Sequence, residues 1–366
     1  MLLSIFGTPS PLSYAMMNLL RSLVELTHGP SDFMFATSVA ELREQWLAAG
    51  ESRPDHILFF SDCAESGLLE LFMRTNAPIV CCIDNLDDVA CHARETRGMS
   101  LAESLRFATQ TTAILSRLAG YGLCFRVTAE HYGKTVSSIL ADALSFLGVE
   151  MEFEPIEGLC ASLPGAGGGA PLTLLDYASK NIQGARAPGA LVGLLPPSER
   201  GDLLTLARDY GVIAQGEPLR KTVWPIAFFL DWKHPGTLLR GPIELLGPAR
   251  FIVCGPYFHL PAGWWRVTTT IEVAENISGN RLGVDVFSHD ILTGIEADLP
   301  IDGVFEFDMA FEVTEPRRPV ELRFQILEGA IEGRLALHEV RFEAMDGTSA
   351  AYAGGEREAQ GRSAAA

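Results

Sequence analysis

Two pairs of ionisable residues follow segments that are predicted to be buried strands. Asp62 and Glu65 come after "HILFFS", and Glu130 and His131 lie in "VTAEHYGK". Functional groups of α/β proteins lie at the carboxyl ends of parallel strands, so each pair is a candidate for general acid/base chemistry. The alternative is structural: Ser61 or Asp62 caps the next helix, and Glu130 and His131 lie in a solvated loop.

A strand, a tight loop and a helix are predicted in "LLSIFGTPSPLSYAMMNLLRSL", a layout that can bind phosphate through backbone N–H groups. The loop chemistry argues against this role, because Pro9 and Pro11 have no N–H and the nearest basic side chain is Arg21. A serine before a proline is also a favourable helix start. The residues that would line a phosphate site here are Gly7, Thr8, Ser10 and Ser13.

Aromatic residues near the C-terminal part of the chain are candidates for sugar binding. Trp264 and Trp265 are adjacent on a predicted strand, so one is expected in the core and the other exposed. An exposed indole beside Tyr257 could stack on a sugar ring, and packing against the first domain is the alternative. The stretch "FFLDWKHPG" also mixes aromatic and ionisable side chains, as an interdomain ligand cleft or an apolar contact would.

Metal and nucleophile motifs are not found in the sequence. The eight histidines are scattered without the short spacing of a helical zinc site, so no metal site is predicted. The chain has no GxSxG nucleophile elbow. Its seven cysteines form no CxxC pair and are predicted to be free thiols in a reducing cytosol. No cofactor is predicted.

The charge balance excludes some partners. A formal net charge of -18 argues against binding to nucleic acid or to an anionic membrane surface, since both need clustered Lys and Arg. No apolar run approaches the ~20 residues of a membrane span, and the start "MLLSIFG" lacks the basic region of a signal peptide. We therefore expect a cytoplasmic protein with a neutral or cationic partner.

The pattern of predicted elements changes along the chain. Continuous apolar runs alternate with helical periodicity over residues 1–150, as in a parallel sheet covered by helices on both faces. "LPGAGGGAP" predicts a linker, and residues 151–249 are assigned to a linker and an intermediate helical or irregular region. Short alternating runs at 250–345 predict an antiparallel β-sandwich, and 346–366 a disordered tail.

Residues 1–150 resemble the sulfotransferase-fold P-loop domain. The resemblance is carried by the strand–loop–helix at Ser4–Leu20, by "DNLDDVA" after a strand, and by "SILADALSFLGVE" as the closing helix. It implies a three-layer α/β sandwich with a nucleotide site for a sulfate donor. In the family a basic loop holds one phosphate, and an arginine after the third predicted strand holds another.

This sequence departs from the family at the residues that the resemblance implies would bind phosphate. Asp84 stands where the family has the phosphate-binding arginine, and a carboxylate there would repel a phosphate. Asp87 and Asp88 add negative charge, whereas Arg94 and Arg97 follow and could compensate. The resemblance therefore implies a degenerate domain that does not transfer sulfate.

The C-terminal segments have a second resemblance. "GPYFHLPAGWWRVTTTIEV" and "VELRFQILEGAIEGRLALHEVRFE" resemble β-sandwich modules of bacterial glycosyltransferases and polysaccharide-biosynthesis proteins, some of which are like carbohydrate-binding domains. We therefore expect an accessory or carbohydrate-binding protein of bacterial surface-polysaccharide synthesis, with a saccharide as ligand and a protein partner or second copy as further candidates. An active sulfo- or glycosyltransferase with a divergent donor site, and a pure assembly module, remain the alternatives.

Overall fold

The structure is a computed structural model that describes residues 2–50, 56–149, 153–166, 170–234 and 236–346. It divides the chain into an N-terminal unit (1–200 with 210–218) and a C-terminal unit (201–209 with 219 onwards). No described helix is both long and apolar enough to cross a membrane. From residue 347 the predicted tail lies outside the described residues.

A five-stranded parallel sheet forms the centre of the N-terminal unit, in the order β2-β3-β1-β4-β5. The continuous apolar runs of β1, β3 and β4 are buried on both faces, as expected for a sheet between two helical layers. β2 is a short edge strand that the apolar runs alone did not reveal. The strands are β1 (Leu2–Gly7), β2 (Asp32–Phe35), β3 (Ile57–Ser61), β4 (Ile79–Ile83) and β5 (Cys124–Thr128).

Helices cover both faces of this sheet. Leu3 and Ile5 of β1 belong to one apolar core, and Phe6 packs against Phe59 and Phe72 on the other face. The predicted three-layer α/β class is therefore confirmed. The helices are α1 (Pro11–His28), α2 (Val39–Ala48), α3 (Ser66–Arg74), α4 (Leu86–Arg97), α5 (Leu101–Leu115), α6 (Val136–Leu147), α7 (Phe153–Ser162), α8 (Leu174–Asn181) and α9 (Pro197–Ala214).

Residues 151–185 were predicted to be a linker, but in the structure they include α7 and α8, which pack on the core of the N-terminal unit. Leu174 and Tyr177 of α8, with Ile156 of α7, belong to the same core cluster as α1. The linker was predicted from the Gly- and Pro-rich composition of this stretch. The stretch also contains apolar residues that are spaced to bury one helix face. Gly167, Gly168 and Gly169 lie outside the described residues.

Two antiparallel sheets make up the C-terminal unit, which confirms the predicted β-sandwich class. One has the order β13-β12-β15-β9-β7 with β10 on β15, and the other has β14-β11-β16-β6 with β8 on β16. The strands are β6 (Lys221–Val223), β7 (Leu230–Asp231), β8 (Ile243–Glu244), β9 (Arg250–Cys254), β10 (Pro256–Phe258), β11 (Gly263–Ala274), β12 (Arg281–Ser288), β13 (Asp290–Asp298), β14 (Gly303–Val313), β15 (Val320–Ile326) and β16 (Arg334–Ala344).

The inner faces of the two sheets meet in an aromatic core. Trp224, just after β6, contacts Phe258 of β10 edge-on, with ring centroids 5.6 Å apart. Strand pairing also extends this unit to the N-terminal side of the boundary predicted at residue 250, since β6, β7 and β8 pair with later strands. These strands have two or three residues each, too short to show alternation in the sequence.

Candidate functional site

The loops after β1 and β4 meet at the point where the strand order of the parallel sheet reverses. The Thr8 backbone N–H donates to the Cys82 carbonyl at 2.9 Å, and the Thr8 hydroxyl accepts from the Asp84 N–H at 3.1 Å. Ligands of open α/β sheets bind in the crevice at such a point. The sequence-predicted loop residues therefore do come together at the expected place in the fold.

The loop after β1 is filled by its own side chains. A Cβ atom on Gly7 would lie 2.3 Å from Ser13 Oγ and 3.0 Å from the Cys82 carbonyl. Thr8, Ser10 and Ser13 are fully buried. Glycine is needed here because Ser13 packs directly on it, so the space that would admit a phosphate is occupied by protein.

A buried carboxyl group stands at the N-terminus of α1. Tyr132 donates its hydroxyl proton to Asp84 at 2.9 Å and accepts a hydrogen bond from the Leu12 backbone. Ser10 also hydrogen-bonds to Asp84. A helix N-terminus attracts negative charge, and here the chain supplies that group itself.

Burial, together with the smaller effect of the nearby Asp88 carboxylate, raises the pKa of Asp84 to about 7. The hydrogen bond from Tyr132 acts in the opposite direction. Burial and the Asp84 carboxyl raise the pKa of Tyr132 well above its ordinary value, so the phenol is the donor of this bond. Tyr132 and the Asp84 carboxyl group therefore form a buried hydrogen-bonded pair at the N-terminus of α1.

The basic residues that could compensate for Asp84 have other partners. Arg94 forms a 3.1 Å ion pair with Glu199, and the Arg97 guanidinium lies 4.6 Å from the centroid of the Phe107 ring. A sulfate-donor nucleotide, which the sulfotransferase resemblance implies, needs open space and positive charge at the loop after β1. The residues present do not fit it.

The rim residues singled out in the sequence are engaged separately. Asp62 accepts a 2.7 Å hydrogen bond from Tyr14, and His131 Nδ1 accepts from the Thr128 backbone N–H at 3.2 Å. Glu65 occupies the position before α3, where its N–H donates to the Thr37 carbonyl. Glu130 lies exposed in the turn Ala129–Gly133. Asp62 and His131 thus have different structural partners.

Among the described residues, no group of three His, Cys, Asp or Glu side chains is placed to hold a metal ion.

In the C-terminal unit, four flat side chains form a row across one sheet. Trp232 follows β7, Phe251 is on β9, and their ring centroids are 5.1 Å apart. The Arg323 guanidinium on β15 lies 5.1 Å from the Phe251 ring centroid and 4.1 Å from that of Phe287 on β12. We call Trp232, Phe251, Arg323 and Phe287 the aromatic row.

Asp285 fixes the central member of the row. Arg323 Nε donates to Asp285 Oδ1 at 2.7 Å, and Arg323 Nη2 donates to Asp285 Oδ2 at 3.1 Å. The two residues are directly opposite in the β12–β15 register, so they share one face of the sheet. Val284 and Val286 flank Asp285 in the sequence and are buried. The aromatic row therefore lies on the face turned away from the core.

Tyr257 also lies beside this sheet, whereas the two tryptophans are on the other one. The Tyr257 hydroxyl donates to Glu321 Oε1 at 2.8 Å, and Glu321 lies opposite Phe287. Burial raises the pKa values of both Tyr257 and Glu321. Trp265 is buried and donates Nε1–H to the Pro261 carbonyl at 2.9 Å, while Trp264 is half-buried.

The members of the aromatic row were not predicted as binding residues from the sequence. Trp232 lies in "FFLDWKHPG", for which an interdomain ligand cleft or an apolar contact was predicted without a role for any single residue. Phe287 and Arg323 are the half-buried members of alternating strands. That alternation marks them as outward-facing, but the sequence gives no sign that they touch.

No protein-family model and no curated protein matches the chain. Among solved structures it is similar to a mouse sulfotransferase complexed with PAP, with 11% identity, 58% of this chain and 85% of the other covered, and a TM-score of 0.40. Retinol dehydratase in complex with retinol and PAP has 12% identity and a TM-score of 0.39, with 57% of this chain and 80% of the other covered. The xylan-binding module CBM15 has 12% identity and a TM-score of 0.24, with 34% of this chain and 97% of the other covered.

Proposed function

We propose that this chain is a saccharide-binding accessory protein of bacterial surface-polysaccharide synthesis, acting in the cytoplasm, and that its N-terminal unit is a degenerate sulfotransferase-like domain. The observation that carries the proposal is the aromatic row. An exposed indole, two half-buried phenyl rings and a guanidinium form a continuous platform on one sheet face of the C-terminal unit.

The platform supplies both kinds of contact that a sugar ring needs. Aromatic faces pack against the apolar C–H faces of a pyranose. Trp232 is 44% exposed, so its indole ring is accessible for such packing. Arg323 donors and Asp285 acceptors stand in the middle of the row, where hydroxyl pairs can bind to both. The ion pair and the stacking hold Arg323 in place before a ligand arrives, which reduces the entropic cost of binding.

The N-terminal unit supports the non-enzymatic half of the proposal. Ser13 fills the space over Gly7, and Tyr132 and Asp84 occupy the N-terminus of α1. A donor nucleotide would have to displace these buried groups and then face a carboxyl group instead of a guanidinium.

Affinity electrophoresis of the full chain tests this proposal. Gels containing xylan, β-1,4-galactan, polygalacturonate or hyaluronan are compared with a gel without polysaccharide, and at least one is expected to retard the protein. Trp232→Ala is expected to weaken the retardation about tenfold or more, since exposed aromatic anchors dominate binding energy. Trp46→Ala changes an exposed tryptophan of the N-terminal unit and serves as the matched control.

Two results would overturn the proposal. One is the absence of retardation in every gel while the protein remains folded. The other is retardation that Trp232→Ala and Trp46→Ala reduce equally.

A further inference from the structure

A pocket of about 290 Å³ opens at the β7 edge of the sheet that carries the aromatic row. Its wall includes residues 237–244, between β7 and β8, together with Arg250 and Ile252 of β9. We call it the edge pocket. Its volume is at the lower end of the range for small-molecule sites, about 300–1,000 Å³, and suits a single sugar unit.

The surroundings of the edge pocket are basic within an acidic chain. The whole sequence has a net charge of -18, yet three basic and two acidic side chains line the edge pocket. Lys233, Arg240 and Arg250 all line the edge pocket. The local charge is therefore opposite to that of the protein as a whole.

The two acidic side chains are Asp231 and Glu244, and both also line the edge pocket. Asp231 is occupied within its own turn: its carboxylate accepts from the Lys233 backbone N–H at 2.9 Å and contacts His234 Nδ1 at 2.7 Å. Its charge is thus largely satisfied by neighbouring donors. Glu244 remains as an exposed carboxylate at the wall.

The cations differ in how firmly they are held. Arg250 donates to the Leu245 and Pro248 carbonyls at 3.1 Å and to the Glu244 carbonyl at 3.0 Å, so its charge is fixed at the wall by backbone groups. Arg240 and Lys233 are exposed and, within the part of the chain that the structure describes, form neither an ion pair nor a side-chain hydrogen bond. Their donors are available to a ligand.

The edge pocket adjoins the aromatic row. Trp232 lies in the sequence between two lining residues, Asp231 and Lys233. The backbone N–H of Trp232 donates to the carbonyl of Ile252, another lining residue, at 3.2 Å. Trp232, at one end of the aromatic row, is thus adjacent in the chain to the edge pocket.

We propose that the edge pocket binds an anionic sugar unit, a uronate or a sulfated sugar, of the saccharide whose neighbouring units lie on the aromatic row. Arg240 and Lys233 bind the anionic group, and the fixed charge of Arg250 favours it. A planar guanidinium matches the paired oxygens of a carboxylate or sulfate ester. This inference rests on the proposed function and specifies its ligand class.

The test compares one oligosaccharide with and without its charge. Calorimetry measures binding of an oligogalacturonate and of its carboxyl-reduced form to the full chain, and a parallel arm compares sulfated with unsulfated dextran oligosaccharides. The charged member of at least one pair is expected to bind about tenfold more tightly, which corresponds to one charge-assisted contact of about 1.4 kcal/mol. The arm that shows the preference identifies the anion as carboxylate or sulfate.

Arg240→Gln is expected to reduce that preference to about threefold or less, because it removes one of the two side chains that bind the anionic group. Arg266→Gln removes the same charge from β11, on the other sheet, and is the control. Equal binding of charged and uncharged members, or equal effects of the two variants, would overturn the inference. If uncharged members still bind and Trp232→Ala abolishes that binding, the proposed function survives; binding of no oligosaccharide contradicts both.

Discussion

The Tyr132 hydroxyl donates a 2.9 Å hydrogen bond to the buried carboxyl group of Asp84, although the two residues are 48 positions apart in the sequence. The pair occupies the N-terminus of α1, where proteins with a similar strand–loop–helix layout can bind phosphate. This relationship turns a site that could receive an external anion into one that is completed internally.

Adenosine 3′,5′-bisphosphate, the nucleotide product that the sulfotransferase resemblance of residues 1–150 implies, is expected not to bind. Its phosphates would meet buried side chains and the Asp84 carboxyl group at the loop after β1. Isothermal titration calorimetry of the full chain should show no saturable heat, with a thermal unfolding curve of the same sample as the control for folding. A Kd in the micromolar range or tighter would contradict the prediction.

Asp84→Asn is expected to change the pH dependence of stability. The pKa of Asp84 rises from 3.8 in a model peptide to about 7 in the folded chain. The folded chain therefore holds this proton more tightly, and the resulting stability is lost as the pH rises from about 4 to about 7. Because asparagine does not ionise, the variant should gain about 2–4 kcal/mol relative to the wild type over that interval.

Urea unfolding at pH values of about 4 and about 8 measures this difference. Asp142→Asn, at an exposed carboxylate of α6, is the control for removing a carboxylate from the surface of the same unit. A difference between Asp84→Asn and wild type that is the same at both pH values would refute the assignment.

Gly7→Ala is expected to destabilise the N-terminal unit. The new methyl group would lie 2.3 Å from Ser13 Oγ and 3.0 Å from the Cys82 carbonyl, so the loop must shift. Overpacking of this kind costs about 1–3 kcal/mol. Gly67→Ala in α3 meets nothing within 4 Å and should be neutral or slightly stabilising. Equal urea midpoints for the two variants would show that the loop is not tightly filled.

Arg323→Lys is expected to loosen the centre of the aromatic row. Lysine keeps the charge but cannot form the two parallel bonds to Asp285 or lie flat between Phe251 and Phe287. We expect a loss of about 1–3 kcal/mol in the free energy of unfolding.

Arg281→Lys provides the comparison for that variant. Arg281 pairs with Glu296 at 2.8 Å, but about half of each side chain is exposed, so the change should cost about 0–1 kcal/mol. Denaturant unfolding of both variants is sufficient. A loss for Arg323→Lys no larger than that for Arg281→Lys would mean that the row is not preorganised.

Local patterns in the sequence were sufficient to predict the fold classes of both units. Continuous apolar runs such as those of β1 and β4 predict strands buried on both faces, and the alternation along β11 and β14 predicts a sandwich. Both patterns are properties of neighbouring residues. The edge strands β2 and β7 were not found because four or two residues show no periodicity.

The loop after β1 shows what could be predicted from the sequence and what could not. Its prolines and its lack of basic residues already argued against phosphate binding, because these are properties of the residues themselves. That Ser13 fills the space over Gly7, and that Tyr132 reaches Asp84, depends on how helices pack on the sheet. No local pattern contains that information.

The sequence by itself therefore determined the two architectures and the absence of a basic phosphate loop. Only the tertiary structure decided which side chains lie together on one surface. Trp232, Phe251, Phe287 and Arg323 come from four separate places in the chain, and strand register brings them into one row. Register is fixed by pairing across the whole sheet, with irregularities such as the one between Phe324 and Gln325, so the contacts that form the site exist only once the sheet is assembled.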